Sequence, residues 1–336
     1  MSQSSTNVDK EVPTSGSGSI GATIKTTKLT ADQIDKLSKI IDAIPDILSK
    51  TDNPEYDEIY GYRINVESKD HVVPNTRNEI LLKFLIANNY DVDVTKEKLI
   101  KTLNWRNSFQ PLSAAFEEEF DSIFEALGAI TESSNGKPNL KVVTWNLYGD
   151  LKDPKKLFEK YDSEDKTSKE GTPFLRWRVG LMERALTLVD FNDPSNHKIA
   201  QVHDYNNASM FRMDPGMKAT TKQIISLFAE SYPELLSSKF FINVPSLMSW
   251  AYAFLKLFIN AETYKKFHFM NNGDLSEWFG KSDLPSEYNG NVKNDKVSLL
   301  QALNESCKPK IKIPEYGKVL LERTSKSKET DEPPTN

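Results

Sequence analysis

The sequence contains very little cysteine and histidine. Its single cysteine, Cys307, excludes an intrachain disulfide, and such cysteine usage is typical of proteins of the reducing cytosol or nucleus. The four histidines show no zinc-ligand spacing. Dinucleotide-binding, P-loop, nucleophile-elbow and HExxH motifs are also missing. The sequence therefore predicts a protein that is not an enzyme.

Long apolar runs are missing as well. The stretch 244–259 is interrupted by Pro245 and Lys256 and is too short to span a bilayer. The first residues lack the apolar segment of a secretory signal. We therefore expect any membrane contact to be peripheral or transient.

An excess of positive charge is absent too. The chain carries 43 basic and 48 acidic residues, a net charge of −5, so no nucleic-acid partner is expected. In contrast, 38% of the 336 residues are hydrophobic, including 17 Phe and 12 Tyr. That content is sufficient for a substantial core.

The order of predicted elements gives two lobes between polar tails. Residues 1–30 and 325–336 are rich in polar residues and are predicted to be disordered. A helical lobe is predicted over residues 31–125 and strands alternating with helices over 126–324, which favours an α/β fold with a mostly parallel sheet. The predicted helices are 31–44, 77–89, 94–108, 174–191, 218–231 and 246–259, and the predicted strands are 139–145, 199–205, 239–244 and 266–270.

Four polar residues of the second lobe occupy unusual positions. Arg178 falls within the apolar stripe of helix 174–191, where a cation is costly unless an anion meets it. His203 and Tyr205 share one face of a strand, and Lys239 begins the next predicted strand. Each has two interpretations: an ordinary solvated or internally paired side chain, or a residue that binds a ligand in a pocket.

The predicted helix 246–259 has a wide apolar face that includes Trp250, Phe254 and Phe258. A helix of the core explains this pattern. A movable gate that touches the membrane explains it equally well.

Three segments, in the right order, resemble the CRAL-TRIO family of lipid-binding proteins. Residues 80–93 (ILLKFLIANNYDVD), followed by LIKTLNWR, are similar to the LLRFLRARKFDV…WR signature of its helical lobe. Residues 231–245 (SYPELLSSKFFINVP) resemble YPERLGKFYIINAP, and residues 284–290 (LPSEYNG) resemble LPxxYGG. The resemblance spans roughly residues 35–325. It implies the CRAL-TRIO fold, in which a helical lobe accompanies a sheet that floors an apolar pocket beneath a helical gate, here residues 246–259.

Residues 139–151, 174–191 and 201–214 further resemble the fungal non-classical phosphatidylinositol transfer proteins that also bind haem. That resemblance implies a pocket for haem b, with Tyr205 as the iron ligand and His203 beside it. Arg178 and Lys239 would then meet the propionates. One position departs, because Asn88 stands where this branch can place a tyrosine near the haem.

The same family implies a second set of residues for the phosphatidylinositol headgroup. Glu234, Thr263 and Lys266 match three positions that hold the inositol phosphate. The arginines of the family's LRAR segment correspond to Ile86 and Asn88. Because a charge-assisted phosphate contact is lost, weaker headgroup binding is expected.

Two functions stay open at this point. The first is transfer of phosphatidylinositol between membranes by a protein that also binds haem b. The second is a dedicated haem-binding stress or sensor protein with little lipid transfer. A haem enzyme is a weaker third interpretation, since tyrosine-ligated haem occurs in catalase but the sequence defines no distal acid–base pair.

Overall fold

The protein is described by a computed structural model over residues 17–134, 137–147, 149, 170–206, 215–244, 261–292, 299, 303 and 310–331. The first lobe contains α1 (Ser17–Thr23), α2 (Ala31–Asp42), α3 (Ile44–Ser49), β1 (Glu58–Ile59), β2 (Tyr62–Arg63), α4 (Pro74–Ala87), α5 (Val92–Phe109), α6 (Pro111–Phe116) and α7 (Ser122–Glu125). The second lobe contains β3 (Gly128–Glu132), β4 (Val142–Leu147), α8 (Pro173–Leu186), β5 (Ile199–Asp204), α9 (Pro215–Ser231), β6 (Leu236–Ile242), α10 (Ala261–Tyr264) and β7 (Phe267–Phe269), and α11 (Glu315–Asp331) follows. The predicted gate, residues 246–259, lies outside the described residues.

Short polar side chains fix the starts of several helices. Thr30 and Gln33 form a capping box at α2, in which each side chain accepts a hydrogen bond from the other's backbone N–H. Asp91 caps α5 and Thr172 caps α8, each through a side-chain oxygen that accepts a hydrogen bond from a backbone N–H of the first turn. Pro74 stands in the first turn of α4, where its missing N–H costs nothing, so this helix begins three residues before the predicted start.

The central sheet has the strand order β3-β4-β5-β6-β7. β3 runs antiparallel to β4, and all the other neighbours are parallel. The prediction of an α/β fold with a mostly parallel sheet is confirmed. β3 was not predicted, because Gly128 and Glu132 leave only three residues between them that resemble a strand.

The two faces of the sheet have different covers. On one face, α8 packs over β3 and β4; a Cβ added to Gly128 would lie 2.8 Å from the ring of Trp177, so this close approach requires glycine. On the other face, Trp145, Phe240 and neighbouring side chains pack against the segment that includes Leu275 and Tyr288. The candidate site lies on the first face, beyond the part that α8 covers.

A buried charged network joins the two lobes. The guanidinium of Arg106 on α5 donates to Glu58 on β1, at 2.8 and 3.0 Å, and to Glu183 on α8, at 2.7 Å. The hydroxyl of Tyr232 donates to the same Glu183 carboxylate at 2.6 Å. We call Glu58, Arg106, Glu183 and Tyr232 the lobe network. It fixes the helical lobe against α8 and the end of α9.

The predicted tails extend too far into the chain. Ile20 and Ile24 are buried in the core of the helical lobe, and the Glu79 carboxylate accepts hydrogen bonds from the backbone N–H groups of Lys25 and Thr26. The prediction of disorder is therefore wrong for residues 17–30, because contacts with α4 offset their polar composition.

At the other end, the structure differs from the predicted tail over residues 325–331, since α11 continues through Asp331. This helix also packs on the helical lobe: the Tyr316 hydroxyl donates to Asp57, and the guanidinium of Arg63 lies 5.0 Å from the Tyr316 ring centroid.

Candidate ligand-binding site

Three basic side chains converge on the sheet face beside α8 and α9. In the β5–β6 register, Gln201 pairs with Lys239 and His203 pairs with Phe241, so His203 and Lys239 share this face. Arg178 approaches from α8, only 1% exposed, with its guanidinium carbon 5.2 Å from the centroid of the Phe228 ring on α9. We call Arg178, His203 and Lys239 the cationic cluster.

The electrostatics of the cationic cluster favour a negatively charged ligand. Burial lowers the pKa of His203 well below its ordinary value, and the charges of Lys239 and Arg178 lower it further. Burial also lowers the pKa of half-buried Lys239 to about 7, again with Arg178 adding to the shift. The imidazole is therefore neutral at pH 7, while Lys239 is poised to be protonated when an anion binds beside it.

Aromatic rings extend this face beyond the cationic cluster. Tyr205 directly follows β5, and its backbone N–H donates to the carbonyl of Ile242 at 3.1 Å. The rings of Tyr205 and His203 lie 6.4 and 5.4 Å from the ring of Phe241, which stacks on Phe269 at 4.7 Å. The prediction that His203 and Tyr205 share a face is confirmed, and both flank an apolar aromatic surface.

Two further polar residues of this face were not predicted. Thr144 and Asn146 on β4 pair with Gln201 and His203 across the sheet, and both are fully buried. Thr144 Oγ1 and Asn146 Oδ1 have no hydrogen-bond partner among the described residues. The signal was two polar residues spaced by two within an otherwise apolar strand, and it marks them as candidates for contact with a ligand.

A second group lies near the amino-terminal ends of β6 and β7. Glu234 adopts a left-handed backbone conformation just before β6, and its carboxylate lies 3.4 Å from the ammonium of Lys266. The backbone N–H of Lys266 donates to the carbonyl of Thr263 at 3.1 Å. The structure thus brings the three predicted headgroup residues, Glu234, Thr263 and Lys266, together. We call them the rim group.

Lys83 contacts the backbone of the rim group and was not predicted as a site residue. This side chain, 3% exposed, donates from Nζ to the carbonyl oxygens of His197 at 3.1 Å and Glu234 at 3.3 Å. Burial, followed by the charge of Lys198, lowers its pKa to about 7. Its signal was a single cation inside the apolar segment ILLKF of α4.

Asn88, the position that departs from the haem-binding branch, ends α4. Its side-chain amide donates to the carbonyl of Phe84 at 2.8 Å, one turn back on the same helix. The amide is thus engaged in closing the helix.

Tyr205 and Glu234 lie toward opposite ends of the strands, and Lys239 lies between them, since its backbone N–H donates to the carbonyl of Lys266 at 2.8 Å. Tyr205 follows the last residue of β5, whereas Glu234 precedes the first residue of β6. Since these strands are parallel and β5 has six residues, the two ends are separated by roughly 20 Å at 3.3 Å per residue. A ligand that contacts both Tyr205 and Glu234 must be elongated.

Two features of the described residues bear on ligands and membranes. No group of three or more His, Cys, Asp or Glu side chains in this part of the chain is placed to hold a metal ion; a tyrosine-ligated haem iron needs no such group. Among the helices within the described ranges, none has both the length and the apolar composition to cross a bilayer.

Comparison with known proteins gives a consistent result. The CRAL/TRIO domain matches residues 142–290. The phosphatidylinositol transfer protein SFH5 of Debaryomyces hansenii is 61% identical over 311 residues, covering 91% of this chain and 90% of that protein. The phosphatidylinositol transfer protein SFH5 of Candida albicans is 54% identical over 307 residues, covering 90% of this chain and 93% of that protein. A crystal structure of Sfh5 aligns with a TM-score of 0.78 at 33% identity, over 90% of this chain and 100% of that one.

Proposed function

Because this chain belongs to the CRAL/TRIO family, together with the SFH5 proteins of yeasts, we propose that it binds phosphatidylinositol and transfers it between membranes. The description of its relatives as phosphatidylinositol transfer proteins supports this proposal. It also supports a carrier rather than an enzyme. The proposed location is the cytoplasm, with transient peripheral contact at the endoplasmic reticulum or other internal membranes.

The rim group is the observation that carries the proposal. The Lys266 ammonium suits the lipid phosphodiester, and the Glu234 carboxylate and Thr263 hydroxyl suit inositol hydroxyls. The Lys266 and Glu234 side chains are 23% and 30% exposed and lie 3.4 Å apart. Such a pair contributes about 1 kcal/mol or less, so it exchanges readily for contacts with a ligand.

The energetics of transfer favour exchange over net capture. Burying an acyl chain gains roughly 0.8 kcal/mol per methylene relative to water. A membrane already supplies that burial, so moving the chains between bilayer and protein is nearly neutral. Headgroup contacts at the rim group then determine which lipid is retained.

The test is phosphatidylinositol transfer between vesicles by a Glu234→Ala/Lys266→Ala double variant. We expect at least about a tenfold loss of transfer, because the charge-assisted phosphate contact disappears. The matched control is Glu262→Ala/Lys265→Ala, which removes an exposed ion pair on the neighbouring turn and should leave transfer unchanged. Transfer at the wild-type rate by the Glu234→Ala/Lys266→Ala variant would refute the headgroup assignment.

We further propose that the cationic cluster and Tyr205 hold haem b. The described residues fit this group: Tyr205 offers a phenolate as iron ligand, with His203 on the same face, and Arg178 and Lys239 suit carboxylate propionates. The buried oxygens of Thr144 and Asn146 add polar atoms beside the aromatic surface. Haem b would supply a redox-active iron, and these residues would bind and orient it.

A dedicated haem-binding stress or sensor protein with little lipid transfer is the alternative, and it rests on the same basic and aromatic residues around Tyr205. The deciding measurement is the absorption spectrum of protein purified from haem-replete cells. We expect a Soret band in the wild type and in Tyr264→Phe, a control near the same aromatic surface, and its loss in Tyr205→Phe with lipid transfer intact. A colourless wild type would refute haem binding; a band retained in Tyr205→Phe would refute the ligand assignment.

A further inference from the structure

A separate polar pocket of about 300 Å³ opens beside the amino-terminal ends of β5 and β6. It is distinct from both groups described above, although Lys198, one of its residues, lies close to the rim group. We call it the edge pocket. Its lining residues are Lys137, Pro138, Asn139, Leu140, Lys198, Ser237, Ser238 and Trp278.

A shift in strand register occurs at Ser237, one of the residues that line the edge pocket. Ile199 pairs with Leu236, but the next residue, Ala200, pairs with Ser238, so Ser237 has no partner residue on β5. Ser237 Oγ is buried and has no hydrogen-bond partner among the described residues. A buried hydroxyl without a hydrogen-bond partner destabilises the fold. Such irregularities are frequent beside functional sites.

Positive charge accumulates at the same place. Burial lowers the pKa of half-buried Lys198, the charge of Lys266 lowers it further, and Glu234 opposes the shift. The charge of Lys198 in turn lowers the pKa of Lys83. Because these ammonium groups disfavour one another, an anion bound beside Lys198 would offset a cost already present in the fold.

The outer wall of the edge pocket is aromatic and basic. The Lys137 ammonium lies 4.5 Å from the ring centroid of Trp278, a cation–π contact that holds it at the pocket mouth. The Asn139 side chain is already engaged, since it accepts from the His197 backbone N–H at 3.0 Å and donates to the Pro194 carbonyl at 2.9 Å. Asn139 therefore shapes the pocket, and the lysines and serines supply its donors.

We propose that the edge pocket binds a phosphomonoester, with Lys198 and Lys137 neutralising its charge and the hydroxyls of Ser237 and Ser238 donating to its oxygens. Two sources carry this chemistry. One is a phosphate on the inositol ring of a lipid whose phosphodiester occupies the rim group, and this source rests on the proposed function. The other is a free inositol phosphate, and this source does not.

The experiment is calorimetric titration of the full chain with glycerophosphoinositol, with its 4-phosphate, and with inorganic phosphate. We expect the 4-phosphate to bind at least about tenfold more tightly than the unphosphorylated compound, because a dianion meets two ammonium groups. Lys198→Gln and Ser237→Ala should each reduce this preference. The control Lys141→Gln, which changes an exposed lysine paired with Glu132 at 3.5 Å, should retain it.

Equal affinity of the wild type for glycerophosphoinositol and its 4-phosphate would overturn the proposal. A preference for the 4-phosphate that is unchanged in both Lys198→Gln and Ser237→Ala would overturn it as well. Transfer from vesicles containing phosphatidylinositol 4-phosphate then separates the sources. If phosphatidylinositol 4-phosphate is transferred faster than phosphatidylinositol, and Lys198→Gln removes this difference, the phosphate comes from the lipid. If the two lipids are transferred equally while the soluble 4-phosphate still binds in a Lys198-dependent way, the phosphate comes from the free compound. If Glu234→Ala/Lys266→Ala leaves lipid transfer intact while Lys198→Gln still loses phosphate binding, the headgroup assignment fails and the edge pocket stands.

Discussion

Arg106 is fully buried and Lys239 is half-buried, and their surroundings shift their pKa values in opposite directions. Burial opposes the charge of Arg106, but the carboxylates of Glu183 and Glu58 outweigh it and raise the pKa well above its ordinary value. Burial lowers the pKa of Lys239 to about 7, and its charged neighbour Arg178 is another cation. The lobe network is thus electrostatically complete within the fold, whereas the cationic cluster gains from an added anion.

Removing the cation of the lobe network should have the largest effect on stability. Arg106→Met leaves the Glu58 and Glu183 carboxylates facing each other without a partner, and we expect a loss of about 3–5 kcal/mol in unfolding free energy. Urea denaturation measures it. The control Lys39→Gln breaks the exposed pair with Asp35 at 2.7 Å and should change stability by less than about 0.5 kcal/mol. A loss below about 1 kcal/mol in the unfolding free energy of Arg106→Met would contradict the conclusion that the lobe network is neutralised by pairing within the fold.

A smaller loss is expected for Tyr232→Phe, which deletes one 2.6 Å hydrogen bond to Glu183 and keeps the ring. Hydrogen bonds to charged groups are worth about 1.5–3 kcal/mol. A double-mutant cycle with Arg106→Met should show a coupling of at least about 0.5 kcal/mol, because both side chains contact the same carboxylate. Strictly additive effects would mean that the network does not act as a unit.

Lys239→Met should have the opposite sign and the smallest size. The unfolded chain keeps this proton up to pH 10.5, while the folded protein releases it near pH 7. Ligand-free wild type is therefore penalised most below pH 7, and its stability should rise between pH 7 and 10.5. We expect Lys239→Met to be more stable by about 1–2 kcal/mol at pH 6, with the difference shrinking by pH 10. A difference independent of pH would contradict the buried-lysine interpretation.

The parts of the fold that were predicted are those with a strong local period. The alternating segments IAQVHDY and KFFINV correspond to β5 and β6, because one face of each strand is polar or mixed. Composition could not predict that residues 17–30 are ordered, since their ordered structure depends on hydrogen bonds to Glu79, more than 50 residues away. Local pattern does not record which distant carboxylate meets a backbone N–H.

The same distinction separates the predicted site residues from the missed ones. Arg178 was a candidate because it interrupts an apolar stripe, and His203 and Tyr205 were candidates because they share one face of a strand. Lys239 was a candidate as a cation that begins a predicted strand. The family resemblance supplied the suggested roles of all four. Ser237 did not stand out, because its unpaired hydroxyl results from the register of β6 against β5. A register is a property of two strands, so one strand's sequence does not reveal it.

Helices α1 and α11 both rest on the helical lobe, through Ile20 and Ile24 for the first and Tyr316 for the second. The first and last described helices are therefore both anchored on this lobe. A tether or fluorescent probe attached near either helix would load, or report on, the lobe and leave β5 and β6 unstrained. The protein can be attached to a solid support at these two points, both of which lie outside β5 and β6, the strands that carry most of the candidate site.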